Sequence, residues 1–483
     1  MKILLASSEV HPYSKTGGLA DMVGALAKAL ARAGLRVGLV TPLYRDILER
    51  FPDIHSFDWR IDLPLGASRV QAEVLKREWE PGLTVYFIHR PELYQRAGLY
   101  QEAGVDYPDN AGRFIFFSKC AAHLARDLPW QPELVHVHDW QAGLVPLLIR
   151  HERERAGWGT APKTCLTIHN LAYQGVFSRS AYALTNLPSD YFQEDGVEFH
   201  GLMNCLKAGI CYADLITTVS PRYAREIMTE AFGCGLDGTL RQRQHLLVGI
   251  LNGVDSEEWN TTQNPFLKSS FSLRNPGGKG IEKRSLQQEM GLPQAPDIPL
   301  FGNISRLVDQ KGSDLLLGAL EEMLAAKMQF VLLGSGSPVL EKAFQNLARR
   351  HPDKVAARIG YDHPLSHRIE AGCDFYLMPS RFEPCGLNQM YSLRYGTIPI
   401  VRATGGLDDS IIDPTEELER ANGIKFYEYS SRALAKAIRK ALVLYAEPRL
   451  FRQFRKNAMS ADFSWERTTG EYLGVYRRIL EGP

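Results

Sequence analysis

The chain contains 483 residues, of which 45% are hydrophobic and 23% are charged, and its formal net charge is +1 at pH 7. At about 100–200 residues per domain, this length predicts two to four domains, each large enough to bury its own core. The composition is typical of a globular protein and argues against a collagen, a coiled coil or a disordered chain. The charge balance argues against a dedicated nucleic-acid-binding protein, whose domains carry an excess of Lys and Arg.

The cysteines, seven in number, are scattered along the chain without a CxxC pair. This pattern is typical of reduced thiols in a cytosol and not of a disulfide framework or a zinc site. The first residues, MKILLASSEVHPYSK, contain only a short apolar stretch, so no signal peptide is predicted. A membrane span would need about 18 consecutive apolar residues, and no such stretch occurs. We therefore expect a cytoplasmic protein with neither a membrane nor a nucleic-acid partner.

Short apolar strands alternate with amphipathic helices in the first half of the chain. The predicted strands are residues 2–7, 36–41, 84–89, 134–138, 163–169 and 214–219, and the first predicted helix is residues 19–32. Ser220 and Pro221 predict a further helix start, with Ser as the N-cap and Pro at the first helical position. Continuous apolar runs joined by helices indicate a parallel sheet that is covered on both faces.

The pattern weakens over residues 252–297, where Asn, Pro and Gly cluster, and then a second series begins. Its predicted strands are residues 298–304, 329–334, 355–360, 374–378 and 398–402, and its predicted helices are residues 314–326, 338–351, 387–395, 430–446, 448–458 and 465–480. We therefore predict an α/β protein with two successive doubly wound domains, residues 1–251 and 252–463. Ligands of such sheets bind outside the carboxyl ends of the strands.

The stretch KTGGLAD (residues 15–21) follows the first predicted strand and opens the first predicted helix. Glycines allow a ligand to approach the backbone closely, and the free N–H groups of a helix start attract an anion. Lys15 would add a positive charge to such a site. The stretch is neither a full GxGxxG motif nor a Walker A loop, so a glycine-rich turn with a solvated lysine is the alternative.

Polar side chains also follow two later predicted strands. His136 and His138 share one face of an extended strand, and Asp139 after them is a candidate acceptor for a substrate hydroxyl. Two histidines without a third ligand favour hydrogen-bonded residues over a metal site. In TIHNLAYQG, His169 and Asn170 offer donors and acceptors that suit sugar hydroxyls, although a structural histidine remains the alternative.

Two motifs in the second half could bind a phosphorylated ligand. Arg306 and Lys311 lie five residues apart in a predicted loop and could bracket a diphosphate, with two solvated cations as the alternative. In SRFEPCGLNQM, Glu383 precedes a predicted helix, and Gly386 and Leu387 could present backbone N–H groups to an oxygen. Cys385 is not expected to be a nucleophile, because no His is near it in the sequence. Residues 334–339 lack the third glycine of a dinucleotide fingerprint, and no Asp-x-Asp clamp occurs.

In combination these motifs resemble bacterial glycogen synthases and plant and cyanobacterial starch synthases, over essentially the whole chain. The motifs that carry the resemblance are, in order, KTGGLAD, HDWQAGL, TIHNLAYQG, TTVSPRYAREI, FGCGLDG, LNGVD, ISRLVDQKG and SRFEPCGLNQMYSLRYG. The resemblance implies a GT-B fold, with two Rossmann-like domains that face an inter-domain cleft. It implies transfer of glucose from ADP-glucose to the non-reducing end of an α-1,4-glucan, with retention of configuration, release of ADP, and no cofactor or metal.

The resemblance also implies roles for individual residues. The implied catalytic residues are Lys15, His169, Arg306, Lys311 and Glu383, and the implied substrate-binding residues are Thr16, Gly17, Gly18, Asp21, Asp139, Asn170, Asn252, Tyr361, Cys385, Gly386 and Leu387. Tyr361 matches a position that stacks on adenine. Residues 1–251, completed by a returning C-terminal helix (464–483), would form the acceptor-side domain, and residues 252–463 would bind the nucleotide sugar. The expected location is a bacterial cytosol or a plastid stroma, with association with glucan granules also open.

One difference from the wider group of retaining GT-B transferases favours the glycogen and starch synthases. Many retaining GT-B transferases carry a second Glu eight residues after the first, where this chain has Tyr391; the glycogen and starch synthases also lack it. Other readings are a transferase that makes sucrose phosphate or trehalose phosphate, and a glucan-binding scaffold on an inactive transferase fold. The scaffold would have lost residues such as Lys15 or Glu383, which are present. A nicotinamide dehydrogenase would need the missing glycine fingerprint.

Overall fold

The computed structural model describes residues 1–481 and divides the chain into two compact units. The first unit contains residues 1–219, 224–253 and 465–481. The second unit contains residues 220–223 and 254–464. Among residues 1–481, no helix has both the length and the apolar character needed to cross a bilayer.

The first unit is built on a large sheet. The strands of the unit are β1 (Lys2–Ala6), β2 (Arg36–Pro42), β3 (His55–Leu65), β4 (Ser68–Glu80), β5 (Leu83–His89), β6 (Gln101–Glu102), β7 (Val105–Asp106), β8 (Leu134–His138), β9 (Lys163–Ile168), β10 (Val176–Phe177), β11 (Glu198–Phe199), β12 (Leu202–Asn204), β13 (Leu215–Thr218) and β14 (Leu247–Gly249). The nine-stranded sheet has the order β14-β13-β9-β8-β1-β2-β5-β4-β3. The strands from β14 to β5 are parallel. Every strand predicted before residue 220 is confirmed, each within one residue of its predicted bounds.

The antiparallel edge of this sheet is absent from the prediction. Strands β3 and β4 form a hairpin, and β4 pairs antiparallel with β5. Most side chains of the hairpin are exposed or half-buried, and Ile61 is the buried residue of β3. The hairpin therefore lacks the continuous apolar runs that mark buried parallel strands. The sheet is mixed rather than wholly parallel.

Helices surround the parallel part of the sheet. The helices before residue 254 are α1 (Gly18–Arg32), α2 (Ile47–Arg50), α3 (Pro91–Tyr94), α4 (Asn110–Asp127), α5 (Val145–Ala156), α6 (Cys205–Tyr212), α7 (Pro221–Glu226) and α8 (Asp237–Gln242). Helix α1 buries Val23, Leu26, Ala27 and Leu30, which recur at helical spacing on one face. The helix start at Ser220 is confirmed, because its Oγ accepts a hydrogen bond from the backbone N–H of Tyr223 (2.9 Å).

The second unit contains a parallel sheet that is covered on both faces. Its strands are β15 (Leu300–Leu307), β16 (Gln329–Gly336), β17 (Val355–Ile359), β18 (Phe375–Met378), β19 (Ile398–Arg402) and β20 (Ile424–Phe426), and its helices are α9 (Gly278–Glu289), α10 (Ser313–Met323), α11 (Pro338–Arg350), α12 (His363–Gly372), α13 (Asn388–Arg394), α14 (Gly405–Ser410), α15 (Ser431–Tyr445) and α16 (Pro448–Ser460). The six strands have the order β17-β16-β15-β18-β19-β20. One apolar cluster includes Leu316 of α10 and Ile438 of α15, and a second includes Leu286 of α9 and Ile369 of α12.

Strand β15 runs further than the sequence predicts. The predicted strand ends at residue 304, but the ladder with β16 continues through Ser305, Arg306 and Leu307. The partner strand supplies its backbone up to Gly336, so the longer strand satisfies more backbone hydrogen bonds. Arg306 therefore lies on a strand, and its predicted place in a loop is wrong.

Each sheet contains a point at which the strand order reverses. In the first sheet β1 lies between β8 and β2, and in the second sheet β15 lies between β16 and β18. The loops that follow neighbouring strands diverge at such a point and leave a crevice beyond the carboxyl ends of the strands. The loops after β1, β8 and β9 in the first unit, and after β15 and β18 in the second, carry most of the predicted site residues.

The last helix in the described part of the chain is α17 (Trp465–Glu481), which lies in the first unit. The rings of Tyr472 and Tyr476 are fully buried, and the Tyr476 hydroxyl lies 2.7 Å from Nδ1 of His136. The hydroxyl of Thr468 donates a hydrogen bond to the backbone carbonyl of Leu251 (3.1 Å). The last helix is thus hydrogen-bonded to β8, a strand of the sheet that carries the predicted site residues of the first unit.

Candidate active site

The KTGGLAD loop presents its first residues to solvent. Lys15, Thr16, Gly17 and Gly18 are all exposed, between a buried Ser14 and the buried face of α1. A Cβ added to Gly17 would meet no atom within 4 Å, so the space beside this backbone is open to a ligand. Gly18 is the first residue of a 15-residue helix, whose free N–H groups favour an anion.

The carboxylate of Glu9 holds this loop in place. Its Oε2 accepts hydrogen bonds from the backbone N–H groups of Thr16 (2.5 Å) and Gly17 (3.3 Å). Its Oε1 accepts from the hydroxyls of Thr16 (2.6 Å) and Tyr100 (2.7 Å). Glu9 is 3% exposed. Thr16 therefore fixes the loop through its hydrogen bonds to Glu9. Glu9 is absent from the predicted site and acts as a positioning residue. The available signal was that Glu9 is the one carboxylate between the end of β1 and the KTGGLAD loop.

We expect Glu9→Gln to loosen the loop. A hydrogen bond to a charged group is worth about 1.5–3 kcal/mol, and the amide of Gln replaces a charged acceptor with a neutral acceptor and a donor. Exchange of the backbone amides of Thr16 and Gly17 should become about ten- to a hundredfold faster, which hydrogen–deuterium exchange of the peptide at residues 10–20 would measure. Glu49→Gln, at an exposed position, is the matched control. Equal exchange in wild type and Glu9→Gln would contradict this role.

Lys15 is paired in the structure. Its Nζ lies 2.8 Å from Oδ1 of Asp21 in the first turn of α1, and both side chains are partly exposed. An exposed ion pair of this kind contributes little to stability. Asp21 therefore orients the ammonium group of Lys15 without holding it firmly, and Lys15 can exchange the carboxylate for a phosphate oxygen.

The histidines on β8 and after β9 form a chain, in which His136 and His138 are buried and His169 is half-buried. The rings of His136 and His138 lie 4.2 Å apart, as their predicted shared face requires. Both ring nitrogens of His136 are engaged, Nδ1 by Tyr476 and Nε2 by the hydroxyl of Thr167 (2.6 Å). His136 is therefore a hydrogen-bonded core residue. His138 Nδ1 lies 3.1 Å from Nε2 of His169.

The hydrogen bonds assign a tautomer to His169. The Nε2 of His138 is buried without a hydrogen-bond partner among residues 1–481, and a buried N–H without an acceptor is rarer than a bare lone pair. The His138 proton is therefore placed on Nδ1, where it donates to His169. Burial lowers the pKa of His169 to about 3, so the ring is neutral and its own proton lies on Nδ1. His169 thus offers an uncharged N–H donor.

Asp139 joins the ends of β8 and β9. Its carboxylate accepts a hydrogen bond from the backbone N–H of His169 (2.7 Å), and its backbone φ is +56°, which is uncommon for a residue with a side chain. Burial raises the pKa of Asp139 to about 7, although hydrogen bonds from the backbones of His169 and Asn170 oppose this shift. The carboxyl group therefore ionises near neutral pH beside a neutral imidazole.

This raised pKa gives a test by pH. The folded protein keeps the Asp139 proton up to about pH 7, whereas an unfolded aspartate loses it near pH 3.9. The free energy of unfolding therefore falls as pH rises through this window, by at most about 4 kcal/mol. We expect thermal melts of Asp139→Asn to lack this fall, so that the stability of the variant increases relative to that of wild type between pH 4 and 7. Parallel pH profiles would contradict the buried carboxyl group.

The rest of the TIHNLAYQG loop divides between local structure and open surface. Oδ1 of Asn170 accepts a hydrogen bond from the backbone N–H of Ala172 (3.1 Å). The amide of Gln174 donates to the Cys234 carbonyl (3.0 Å) and accepts from the side chain of Asn204 (2.6 Å). Gln174 therefore ties this loop to the FGCGLDG stretch, and is not free to bind a sugar. Tyr173 is 55% exposed.

Asn252, from the LNGVD motif, lies near the end of the first unit. It is 6% exposed, and its Oδ1 has no hydrogen-bond partner among residues 1–481. A buried polar atom without a partner costs free energy, and a ligand hydroxyl could satisfy it. This observation is independent of the motif.

In the second unit, the loops after β15 and β18 meet at an ion pair. Lys311 Nζ lies 2.6 Å from Oε2 of Glu383, and the hydroxyl of Ser380 donates to the same oxygen (3.0 Å). Glu383 is buried. The close approach of the two loops requires Gly312, which has a φ of +67° and whose Cβ would lie 2.1 Å from the Pro379 carbonyl oxygen. The sequence predicted both charges at the site but not that they neutralise one another.

Arg306 differs from the other two cations. It is exposed on β15, and within residues 1–481 it forms no ion pair. A guanidinium group offers a planar fork of donors that matches phosphate oxygens. The second unit therefore presents one free fork on β15 and, in the loop that follows this strand, an ammonium group that is held on a buried carboxylate.

A glycine pair at the start of α14, the helix that follows β19, supports the Glu383 loop. The backbone N–H of Gly406 donates to the carbonyls of Glu383 and Pro384 (both 3.1 Å), and a Cβ on Gly405 would lie 2.0 Å from the Glu383 carbonyl oxygen. The predicted site does not include this pair. The sequence does indicate it, because the tetrapeptide TGGL of the KTGGLAD motif (residues 16–19) occurs again at residues 404–407.

The remaining residues of this loop are partly enclosed. Cys385 is 5% exposed, and a buried thiol is a poor nucleophile. Gly386 has a φ of +71°, and Leu387 is the N-cap residue of α13. Tyr361, which follows β17, is 84% exposed, so its ring is open for stacking.

The fold and the site define the class of protein. Two doubly wound α/β units, with polar and cationic side chains beyond the carboxyl ends of their parallel strands, are those of a glycosyltransferase with the GT-B fold. Residues 2–242 match the family model described as the starch synthase catalytic domain, and residues 289–460 match the model for group 1 glycosyl transferases. The chain belongs to the glycogen and starch synthase family, which confirms the resemblance drawn from its motifs.

Individual relatives agree with this assignment. The chain is 48% identical to a glycogen synthase of Anaeromyxobacter sp. (strain Fw109-5), over 99% of each chain. It is similar to the structure of the catalytic domain of starch synthase IV from Arabidopsis thaliana bound to ADP and acarbose, with a TM-score of 0.89, 33% identity, and coverage of 100% of this chain and 99% of that one. A sucrose-phosphate synthase from Thermosynechococcus elongatus covers 99% of each chain with a TM-score of 0.61 and 18% identity, and shares the fold.

Proposed function

We propose that the protein transfers glucose from ADP-glucose to the non-reducing end of an α-1,4-glucan, with retention of configuration and release of ADP. The observation that carries the proposal is the cation arrangement of the second unit, in which the free Arg306 fork accompanies the Lys311–Glu383 pair at the strand-order reversal. Membership of the glycogen and starch synthase family supports it, as does the likeness to a starch synthase bound to ADP.

In this proposal the donor diphosphate is bound by cations and helix starts rather than by a metal ion. Arg306 grips phosphate oxygens with two parallel hydrogen bonds, and Lys311 supplies a point charge. From the first unit, Lys15 and the backbone at Gly18 also bind the diphosphate. Negative charge grows on the diphosphate as ADP leaves, so groups aimed at it stabilise the transition state more than the ground state.

We assign the sugar contacts to the loops that end β8, β9 and β18. His169 donates from its neutral ring, and Asp139 and Asn170 lie beside it. Glu383 to Leu387 hold the sugar and the distal phosphate, and Glu383 also keeps the Lys311 ammonium in place. Tyr361 stacks on the adenine, which its exposed ring permits. Asn252 accepts a hydrogen bond from the substrate at its unpartnered oxygen.

The chemical step that we propose needs no covalent intermediate. The acceptor 4-hydroxyl attacks the anomeric carbon from the face that ADP leaves, and a leaving phosphate oxygen takes its proton, so the configuration is retained. The Glu383 carboxylate is held by Lys311 and Ser380, and Cys385 is buried, so neither is placed as a free nucleophile. We further propose that the protein works in the cytosol without a cofactor.

Donor and acceptor profiling tests the proposal. Initial rates would be measured with ADP-glucose and UDP-glucose on glycogen, amylopectin and short maltodextrins, with and without EDTA. We expect incorporation from ADP-glucose to exceed that from UDP-glucose and to persist in EDTA. Faster transfer from UDP-glucose, or transfer to a sugar phosphate instead of a glucan, would replace the proposal with another GT-B activity.

A further inference from the structure

Helix α12 presents two histidines on one face. The helix begins at His363, where the Asp362 side chain accepts a hydrogen bond from the backbone N–H of Leu365 (2.8 Å) and caps it. His363 and His367 are four residues apart, which places them one above the other along the helix. Two histidines at this helical spacing are an arrangement that can bind a metal ion.

A carboxylate completes a group of three donor atoms. His363 Nε2 lies 3.3 Å from His367 Nε2 and 3.1 Å from Oε1 of Glu258, and donor atoms of all three residues lie within 4.8 Å of one another. Ligands bound at about 2.0–2.1 Å around a tetrahedral ion are about 3.3 Å apart. The two shorter spacings therefore already match a tetrahedral site.

The second nitrogen of His367 has a suitable partner. Its Nδ1 lies 3.0 Å from the hydroxyl of Tyr395, which lies 3.4 Å from the Asn260 carbonyl and can donate to it. Nδ1 also lies 3.0 Å from the amide nitrogen of Asn264, which donates a hydrogen bond to it in this structure. Binding of an ion at Nε2 requires the other tautomer, in which Nδ1–H donates to the Tyr395 oxygen. Metal-binding histidines commonly donate their other N–H in this way, which fixes the tautomer and the ring.

We propose that Glu258, His363 and His367 bind one divalent transition-metal ion such as Zn²⁺, with water as a fourth ligand. Imidazole and carboxylate donors suit this class of ion. His367 is fully buried and anchors the site, whereas the Glu258 and His363 side chains are 44% and 35% exposed, which allows an ion to enter. The inference goes beyond the proposed function and is independent of it.

The role of the ion is structural. Glu258 precedes Trp259, whose ring stacks on His367 (4.1 Å between centroids) and on Tyr391 of α13 (3.8 Å). An ion at Glu258 would fasten the segment after residue 254 to α12 and to this aromatic stack. The ion takes no part in glucosyl transfer, for which no metal is proposed.

The test uses the full chain, stripped with EDTA and then titrated with ZnCl₂ by calorimetry, with thermal melts beside it. We expect wild type to bind one Zn²⁺ per chain and to melt at a higher temperature when loaded. His363→Ala and Glu258→Gln should bind at least about tenfold more weakly and lose the thermal shift. His245→Ala, at an exposed histidine of the first unit, should behave as wild type.

The proposal fails if wild type binds no Zn²⁺, or if His363→Ala and Glu258→Gln both bind it as wild type does. The second result would assign the bound ion to other donors, such as the exposed thiol of Cys234. His367 is left unchanged in this test, because its ring packs beneath Trp259 and its removal would disturb the core. His363 and Glu258 are accessible enough for their variants to fold.

Discussion

Replacing Arg306 with alanine should lower the rate of glucan elongation by about two to three orders of magnitude and leave the thermal midpoint unchanged. The guanidinium group is exposed and forms no ion pair within residues 1–481, so its removal leaves no buried charge without a partner. Its proposed work is done on the donor diphosphate as negative charge develops there. The measurement is radiolabelled transfer from ADP-glucose to glycogen, with a thermal melt of each variant.

Two variants make the Arg306 result specific. Arg306→Lys keeps the charge but loses the planar fork, so we expect an activity between those of wild type and Arg306→Ala. Arg452→Ala removes an equally exposed arginine from α16 and should leave the rate unchanged. A near-normal rate for Arg306→Ala would remove this residue from the site.

Replacing Lys311 with alanine should abolish most activity and also destabilise the protein. The buried carboxylate of Glu383 would lose the ammonium group that lies 2.6 Å away, and breaking a buried ion pair on one side costs about 3–5 kcal/mol. Loss of the phosphate contact adds to this, so we expect elongation to fall by more than about a hundredfold. Activity assays and denaturant melts of the same preparation measure both effects.

The double variant Lys311→Met, Glu383→Gln separates the two effects. It removes both charges, so most of the lost stability should return. Activity should not return, because the donor then has neither the ammonium group nor the carboxylate that orients it. Recovery of activity together with stability would show that the pair is purely structural.

The order of strands, helices and motifs could be predicted because its signals are local. Continuous apolar runs marked the parallel strands, and helix starts such as Ser220–Pro221 carried their own capping residue. The motif KTGGLAD lies at the start of α1 and SRFEPCGLNQM spans the start of α13, where glycine and cap chemistry place them. The family resemblance followed from these motifs in sequence order, and the comparisons confirm it.

Contacts between distant parts of the chain could not be predicted. Glu9 supports the KTGGLAD loop with the help of Tyr100, which lies 91 residues away. The tautomer of His169 depends on His138 of the neighbouring strand. The hairpin of β3 and β4 is largely solvated, so it left no run of buried residues for the prediction to use.

The structure distinguishes three cations that the sequence analysis treats alike. Lys15, Arg306 and Lys311 appear in the sequence as three equivalent positive charges. The structure pairs Lys15 with Asp21 and Lys311 with Glu383, and among residues 1–481 it gives Arg306 no such partner. In the proposed function, Arg306 offers the diphosphate a free fork, and Lys311 offers an ammonium group that a carboxylate already orients.

The most direct test of the proposed activity is to follow both products of one reaction. Purified full-length protein would be incubated with ADP-glucose labelled in the glucose and with glycogen, and ADP and polymer-bound label would be measured together. We predict equal amounts of ADP and incorporated glucose, with the new residues released by an enzyme that cleaves α-1,4 linkages from non-reducing ends. Release of ADP with free glucose, or no incorporation into the glucan, would contradict the proposed function.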